Sequence, residues 1–169
     1  MTRTKSEDQV DGFIVKQPLK LYKSKKRRYV RLEISAPVTL APIDMDRPLE
    51  HLSGNEQTGT ILNLSGGGVL LSCDQQVPEN SYVVMSFELK DCELLTGIVG
   101  KVKRVDDDGE EGCLMGVEFC SESELNEVFG AANLGGLISS FDERIKRTLL
   151  KYIFTKKVQQ RIEKKSGKK

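Results

Sequence analysis

The chain has 169 residues, 38% of them hydrophobic, and its 26 lysines and arginines nearly balance its 25 acids, which gives a net charge of +1. This length and composition suit one domain with a core of its own. A general nucleic-acid binder is usually more basic overall, so the charge balance argues against that class. No apolar run approaches the roughly 18 residues needed to cross a bilayer, so no transmembrane segment is expected.

Residues 1–20 are polar with scattered apolar positions and are interpreted as a flexible N-terminal arm. The arm has no apolar h-region of the kind found in secretory signals, so a cytoplasmic protein is expected. Residues 21–31 then carry six cations and no acid. Arg27, Arg28 and Arg31 are the core of this cluster, and guanidinium groups bind phosphate oxygens in pairs and stack on flat rings. A bound phosphate would relieve their mutual repulsion, although a solvated basic arm is the simpler alternative.

Six strand-like segments follow the basic cluster. Alternating apolar residues at Val30, Leu32 and Ile34 indicate that the first strand is half-buried. Short turns separate most of the segments, whereas residues 42–59 form a long polar loop that is interpreted as an insertion or a disordered stretch. The segments cover residues 29–40, 60–64, 69–72, 82–89, 94–105 and 113–119. The pattern predicts a mainly β fold, a small and predominantly antiparallel six-stranded barrel.

A glycine-rich turn, Gly66-Gly67-Gly68, follows the second strand. Asn63 and Ser65 alternate at the end of that strand, so their side chains should point to the same face. Three glycines permit positive φ angles and allow a ligand to approach the backbone. The turn lacks the Lys-Ser/Thr of a Walker A loop and precedes a strand, which excludes that motif and the dinucleotide-binding fingerprint. A simple hairpin turn is the alternative interpretation.

The periodicity changes after the sixth strand. Ser121 or Ser123 can cap a short helix that ends near Phe129. An apolar stripe with steps of three and four residues then predicts a long helix from Leu134 through Ile162. Such a helix is long for a small barrel, so part of it could cover the barrel and part could form a homo-oligomer contact. Residues 156–169 hold seven cations and one acid; a solvated helix end is favoured over contact with an anionic membrane.

The four cysteines have no CxxC spacing, and the single histidine, His51, lies among polar residues. Free thiols, no metal site and no cofactor are therefore expected. No pairing of nucleophile, base and acid emerges from the sequence, and the carboxylates at 106–111 cluster at a hairpin tip. The sequence therefore predicts that the chain is not an enzyme.

The two motifs together, Arg27-x-x-x-Arg31 at the first strand and Asn63-x-Ser65-x-x-Gly68 between two strands, resemble those of the PilZ domain family. The sequence Gly116-Val117-Glu118-Phe119 is similar to the closing strand of that family, and a C-terminal helix follows it. The resemblance covers residues 21–165. It implies a barrel domain at 21–133, in which the arginines act as a switch, followed by a C-terminal helix with a basic tail at 134–169.

The resemblance also implies that the chain is a receptor that binds the bacterial second messenger cyclic di-GMP. It would act as an adaptor for a downstream protein partner. The arginines would contact phosphate and guanine, Asn63 and Ser65 would contact guanine and its neighbouring groups, and ligand would order the arm over the barrel. Arg104 is a further candidate from its position on the strand before the acidic hairpin, where it would add a guanidinium platform; it belongs to neither motif of the family. The ligand-binding residues implied are Lys26, Arg27, Arg28, Arg31, Asn63, Ser65, Gly67, Gly68 and Arg104. Arg31 and Ser65 must then share one side of the barrel.

Two other functions stay open at this stage. Some members of the family lack the motifs and act only through protein contacts. A small barrel with basic arms at 21–31 and 156–169 could also bind nucleic acid, with steep salt dependence and little selectivity.

Overall fold

The structure, a computed structural model, describes residues 27–46, 54–107, 112–130 and 141–167. Six antiparallel strands close into a barrel in the order β1-β2-β3-β6-β5-β4, and two helices follow. The prediction of a mainly β fold with a short helix and a long C-terminal helix is confirmed. The elements are β1 Arg31–Pro42, β2 Gln57–Ser65, β3 Gly68–Cys73, β4 Tyr82–Glu88, β5 Leu94–Asp107, β6 Cys113–Phe119, α1 Glu122–Phe129 and α2 Glu143–Ser166.

The barrel core consists of the inward-facing residues, which alternate with outward-facing residues along each strand. Leu32, Ile61, Leu71, Met85 and Met115 come from five different strands and are fully buried. Because successive strand residues point to opposite faces, burying these side chains turns their polar neighbours outward. The outer surface of the sheet is therefore available for a binding site.

The strands differ from the sequence prediction mainly at their ends. β1 begins at Arg31, two residues later than predicted, and it continues to Pro42. β2 begins at Gln57, three residues earlier than predicted, and pairs with β1 up to Leu40. The predicted loop at 42–59 is therefore shorter, because its ends belong to these strands.

Helix α1 begins at a capping box. The hydroxyl of Ser121 accepts a hydrogen bond from the Glu124 amide, and the Glu124 carboxylate accepts one from the Ser121 amide at 2.7 Å. These two bonds satisfy amide groups that a helix N-terminus leaves without partners. The bonds from the Ser121 amide and hydroxyl hold the pKa of Glu124 below its usual value. The predicted cap at Ser121 is confirmed.

Helix α2 begins later than predicted. Asp142 has an extended backbone and its carboxylate accepts a hydrogen bond from the Ile145 amide at 2.8 Å, so Asp142 is the N-cap. The prediction of one continuous helix from Leu134 through Ile162 is wrong, because a capping aspartate interrupts the apolar stripe. Phe141, before the cap, stacks on Phe119 of β6 with ring centroids 4.5 Å apart.

The barrel-facing row of α2 is Ile145, Leu149 and Ile153, all buried. Two ion pairs with the β4–β5 connection accompany this row, Arg144 with Glu93 and Lys156 with Asp91. The Arg144–Glu93 pair is exposed, and in the second pair Asp91 is exposed although Lys156 is largely buried, so both pairs contribute little to stability. The buried apolar row therefore holds α2 on the barrel.

The four cysteines are free thiols, as expected, and three of them are buried. Burial raises the pKa of Cys73 and of Cys120 to about 12. Neither helix in the described part of the chain has the length and apolar content that crossing a bilayer requires.

Several sequence predictions concern residues outside the described ranges. These are the arm at 1–20, Lys26, His51, the centre of the loop at 47–53, the acidic hairpin tip at 108–111 and the first part of the predicted long helix, 134–140. They stay predictions.

Candidate functional site

Two rows of outward-facing residues cross the barrel and define the candidate site. In the first row, Arg31 of β1 pairs with Ser65 of β2, Ser65 with Gly68 of β3, and Gly68 with Glu118 of β6. Arg31 and Ser65 therefore lie side by side, as a shared pocket requires. The arginine motif and the glycine motif meet because β1 and β2 are neighbours in this register.

The second row runs beside the first. Asn63 pairs with Leu70, Leu70 with Gly116, and Gly116 with Arg104 of β5. Asn63 and Arg104 are thus three strand positions apart, or about 14 Å at the usual strand spacing. An extended ligand lying across the sheet would meet Asn63 at one end and Arg104 at the other.

The three arginines of the motif are exposed at one edge of these rows. Arg27, Arg28 and Arg31 all line the same cavity. Within the described residues, no carboxylate forms an ion pair with any of the three. Their donors are therefore free to bind an anion, and guanidinium donors fit phosphate oxygens in pairs.

Tyr29 lies within the arginine motif and fixes its position on the barrel. A Cβ atom placed on Gly67 would come within 2.9 Å of the Tyr29 ring, and one on Gly66 would meet both Tyr29 and Leu150 of α2. The Tyr29 ring also lies under two cations. The Arg28 guanidinium is 5.6 Å from the ring centroid and the Lys146 amine is 5.7 Å from it. The ring thus connects the arginine segment, the glycine turn and helix α2.

Ser65 stabilises the glycine turn through its hydroxyl group. The hydroxyl donates a hydrogen bond to the Gly68 carbonyl at 3.1 Å and accepts one from the Gly67 amide at 3.2 Å. A hydroxyl has one donor and two acceptor positions. In this geometry, Ser65 can offer a ligand only its remaining acceptor position, so it suits an N–H or O–H group.

The turn requires glycines because a side chain would not fit at these positions. The expectation that glycine is needed here for positive φ angles is wrong for this turn. None of Gly66, Gly67 and Gly68 adopts a positive φ. A Cβ on Gly68 would collide with the carbonyl oxygen of Val117 in β6, and the other two glycines accommodate Tyr29. The turn requires glycine because a neighbouring strand and an aromatic ring approach its backbone closely.

The far side of the site is formed by β5 and β6. The Arg104 side chain crosses Gly116, where an added Cβ would come within 3.0 Å of its Cγ atom. The Arg104 guanidinium lies 3.5 Å from the Asp106 carboxylate, and the Lys103 amine lies 3.2 Å from that of Glu118. All four of these side chains are largely exposed, so the pairs are weak and an anion can compete for the cations.

Together these residues line an open cavity of about 360 Å³ on the outer face of the barrel. This volume falls within the range of roughly 300–1,000 Å³ that is typical of small-molecule sites. The structure brings eight of the nine predicted residues to this cavity, and the ninth, Lys26, lies outside the described ranges. The eight are Arg27, Arg28, Arg31, Asn63, Ser65, Gly67, Gly68 and Arg104.

Sequence reasoning missed several residues that line the cavity. These are Tyr29, Val69, Leu70, Lys103, Gly116, Val117 and Glu118. The closing strand was noticed in the sequence as a family feature, but nothing indicated that it pairs with β3. That pairing brings Gly116 and Glu118 to the glycine turn.

The model of the PilZ domain family matches residues 25–129. The chain belongs to the PilZ domain family. The six-stranded barrel and the two motifs described above define this class of protein. No curated protein sequence shows significant similarity to the chain.

Solved structures with the same fold include the Bacillus subtilis inhibitor of motility MotI/DgrA, at 16% identity and a TM-score of 0.53. Others are Escherichia coli YcgR in complex with c-di-GMP, at 11% identity and 0.59, and the separate PilZ domain of YcgR with c-di-GMP, at 12% and 0.52. The matches cover 81%, 85% and 86% of this chain, respectively. The chain covers 54% of the B. subtilis protein, 51% of YcgR and 100% of the separate domain. The chain therefore spans about half the length of the B. subtilis protein and of YcgR.

Proposed function

We propose that this chain is a cyclic di-GMP receptor that acts as an adaptor for a downstream protein. The observation that carries the proposal is that three arginines, which have no acidic partner among the described residues, meet the Asn63–Gly68 segment at one cavity. Membership of the PilZ family supports the same ligand, since the similar E. coli YcgR structures contain c-di-GMP.

The ligand's chemistry fits the residues around the cavity. Cyclic di-GMP has two phosphodiester anions and two guanine bases. Arg27, Arg28 and Arg31 would hold phosphate oxygens and stack on guanine, because guanidinium is both a forked donor and a flat cation. The Asn63 amide, which can donate and accept, would bind a guanine edge. Ser65 would accept a hydrogen bond from the ligand, since its proton is directed to Gly68.

Ligand binding would change the arginine segment and the surface around it. Neutralising the three guanidinium groups with phosphate would order the segment on the barrel through charge-assisted hydrogen bonds. Tyr29 lies between this segment and α2, so a change at the arginines would reach Lys146 and Leu150. We infer that the downstream partner, in motility, exopolysaccharide or adhesion control, detects this altered surface.

We assign the chain to the cytoplasm and to the receptors rather than the enzymes. Both assignments follow from the proposed ligand, an intracellular second messenger that a receptor binds without chemical change. The cations of the cavity suit binding, and Glu118, the one carboxylate among its described lining residues, is paired with Lys103.

Isothermal titration with cyclic di-GMP tests the proposal. We expect micromolar or tighter binding, and loss of at least about 100-fold in affinity for Arg27→Ala and Arg31→Ala, since charged hydrogen bonds contribute roughly 1.5–3 kcal/mol each. Arg144→Ala is the matched control, because Arg144 is an exposed arginine that pairs with Glu93 away from the cavity. Its affinity should equal that of the unchanged protein.

No heat of binding across a range of salt concentrations would contradict the proposal. Equal loss for Arg144→Ala would point to nonspecific attraction between the ligand and a basic protein. Competition by linear oligonucleotides at equal phosphate concentration would favour the nucleic-acid alternative.

A further inference from the structure

Helix α2 carries a second apolar row, which does not face the barrel. We define the outer row as Leu150, Phe154, Val158 and Ile162, at steps of four residues. All four are exposed, Phe154 at 72% and Ile162 at 61%. At 100° per residue, the outer row is centred about 160° around the helix from the row at Ile145, Leu149 and Ile153 that contacts the barrel. Leu150, the first residue of the row, also lies against Gly66 of the glycine turn, whereas Phe154, Val158 and Ile162 stay exposed.

Helix α2 is also strongly basic. It contains nine cations and only two acids, Glu143 and Glu163. Arg147, Lys151, Arg161 and Lys165 are exposed and fall on the same side of the helix as the outer row. Cations on the same side as an exposed apolar row suit an anionic interface, because their long stems let the charges reach the headgroups while the apolar side chains enter below them.

The placement of α2 on the barrel leaves the outer row accessible to a flat surface. Ile153 is the last buried residue of α2, and the segment from Phe154 to Ser166 continues beyond the packed part by about 20 Å at 1.5 Å per residue. Because Ile153 is the last residue of α2 that the barrel buries, Phe154, Val158 and Ile162 can meet a plane without a clash from the barrel.

A second copy of this helix fits the outer row poorly. Two such helices packed along their outer rows would bring their cations together, with two acids per helix to offset nine cations. Like charges placed against each other are destabilising. A protein groove would also have to follow the row, which turns by about 120° around the helix between Leu150 and Ile162. A soft anionic surface accommodates both features, because lysine and arginine stems bend aside to keep their charges at the headgroups.

We propose that the outer row of α2 is a docking surface for an anionic lipid bilayer. Phe154, Val158 and Ile162 enter the interface, and the neighbouring cations bind the anionic headgroups. This surface is separate from the cavity on β1, β2, β3, β5 and β6, so the proposal does not depend on the cyclic di-GMP ligand. It differs from the sequence interpretation of a solvated helix end because the structure shows an exposed apolar row between the cations.

Flotation of the full-length protein with vesicles tests the proposal. The probes are vesicles of phosphatidylglycerol and phosphatidylcholine at 3:7, and vesicles of phosphatidylcholine alone. We expect partitioning to the anionic vesicles to be at least about tenfold stronger, and to weaken as salt rises. Phe154→Ser/Ile162→Ser should lose about tenfold of the binding to anionic vesicles while keeping every charge.

Two controls separate docking from other effects. Thr155→Ala/Gln159→Ala changes exposed neutral residues of the same helix segment, so its vesicle binding should stay within about twofold of the unchanged protein. Isothermal titration of Phe154→Ser/Ile162→Ser with cyclic di-GMP should equal that of the unchanged protein. A failure of vesicle docking is thereby distinguished from a failure of the proposed receptor function.

Three results would overturn the proposal. The first is an absence of binding to anionic vesicles, which would leave an acidic protein groove as the occupant. The second is unchanged binding by Phe154→Ser/Ile162→Ser, which would mean adsorption through charge alone. The third is a dimer in sedimentation that this variant abolishes, which would assign the outer row to a second copy of the chain.

Discussion

At the scale of single residues, Tyr29 connects the arginine segment to the rest of the molecule. The sequence gave no sign of a partner for its ring. The structure places the ring against Gly66 and Gly67, between Arg28 and Lys146. The glycines and the tyrosine are therefore one structural unit, although they lie 37 and 38 positions apart in the chain.

Replacing Tyr29 with alanine should weaken binding of the proposed ligand. Without the ring, Arg27 and Arg28 lose their anchor on the turn and must be ordered at the expense of binding free energy. We expect about a tenfold loss of cyclic di-GMP affinity by titration, or about 1.4 kcal/mol. Tyr29→Phe keeps the ring and should bind nearly as the unchanged protein does. Equal affinities for the alanine and phenylalanine variants would contradict this role.

Gly68 should be required for the stability of the barrel, whether or not ligand is present. A Cβ at this position meets the Val117 carbonyl oxygen in the main chain of β6, which cannot move without disturbing the β3–β6 pairing. Gly68→Ala should lower the free energy of unfolding by roughly 1–3 kcal/mol in chemical denaturation.

Gly112→Ala is the matched control for Gly68→Ala. The nearest atom to its added Cβ is the Cys73 carbonyl oxygen at 3.4 Å, which is ordinary contact. This variant should change stability by no more than about 0.5 kcal/mol. Equal stability of both variants would show that the close approach of β3 and β6 does not constrain Gly68.

Residue types and spacing were enough to predict which segments of β1 and β2 form the site. Arg31 lies near the start of the first predicted strand, and Asn63 and Ser65 alternate at the end of the second, which places both on one face. Lys103 and Glu118 could not be predicted, because their positions depend on strand order and on a register shift in β5 between Val102 and Arg104. Such irregularities redirect side chains and leave no clear mark in a single sequence.

At the scale of elements, α2 combines two apolar rows, one buried on the barrel and one exposed. Sequence periodicity predicted one stripe from Leu134 to Ile162, because a hydrophobic pattern does not show which face is covered. The structure divides the described part into a barrel-facing row, with Leu149 at its centre, and the exposed outer row. The start of the helix was also missed, because Asp142 caps it within a continuous apolar pattern.

Truncation of the two rows should have different effects on stability. Leu149 is fully buried against the barrel, so Leu149→Ala should lower the free energy of unfolding by about 2–5 kcal/mol. Val158 belongs to the outer row, and Val158→Ala should change it by no more than about 0.5 kcal/mol. Chemical denaturation measures both values. Similar losses for the two variants would mean that the outer row is covered within the folded chain.

At the scale of the whole molecule, closure of the barrel brings distant motifs to one surface. The number of strands and their antiparallel character could be predicted from alternation and short turns. The strand order β1-β2-β3-β6-β5-β4 could not be predicted, because alternation does not show which strand edges pair with β6 and β4. This order places Arg104 across the sheet from Asn63 and gives the cavity its second side.

A crystal structure of the chain with cyclic di-GMP is the most direct test of the proposed binding at the cavity beside Arg31 and Ser65. Our account predicts phosphate oxygens within hydrogen-bonding distance of the Arg27 and Arg31 guanidinium groups, and a guanine edge at Asn63. The ligand should lie over the row from Asn63 to Arg104, with Tyr29 still on the glycine turn. A ligand bound elsewhere on the chain, with the cavity beside Arg31 and Ser65 empty, would contradict the account.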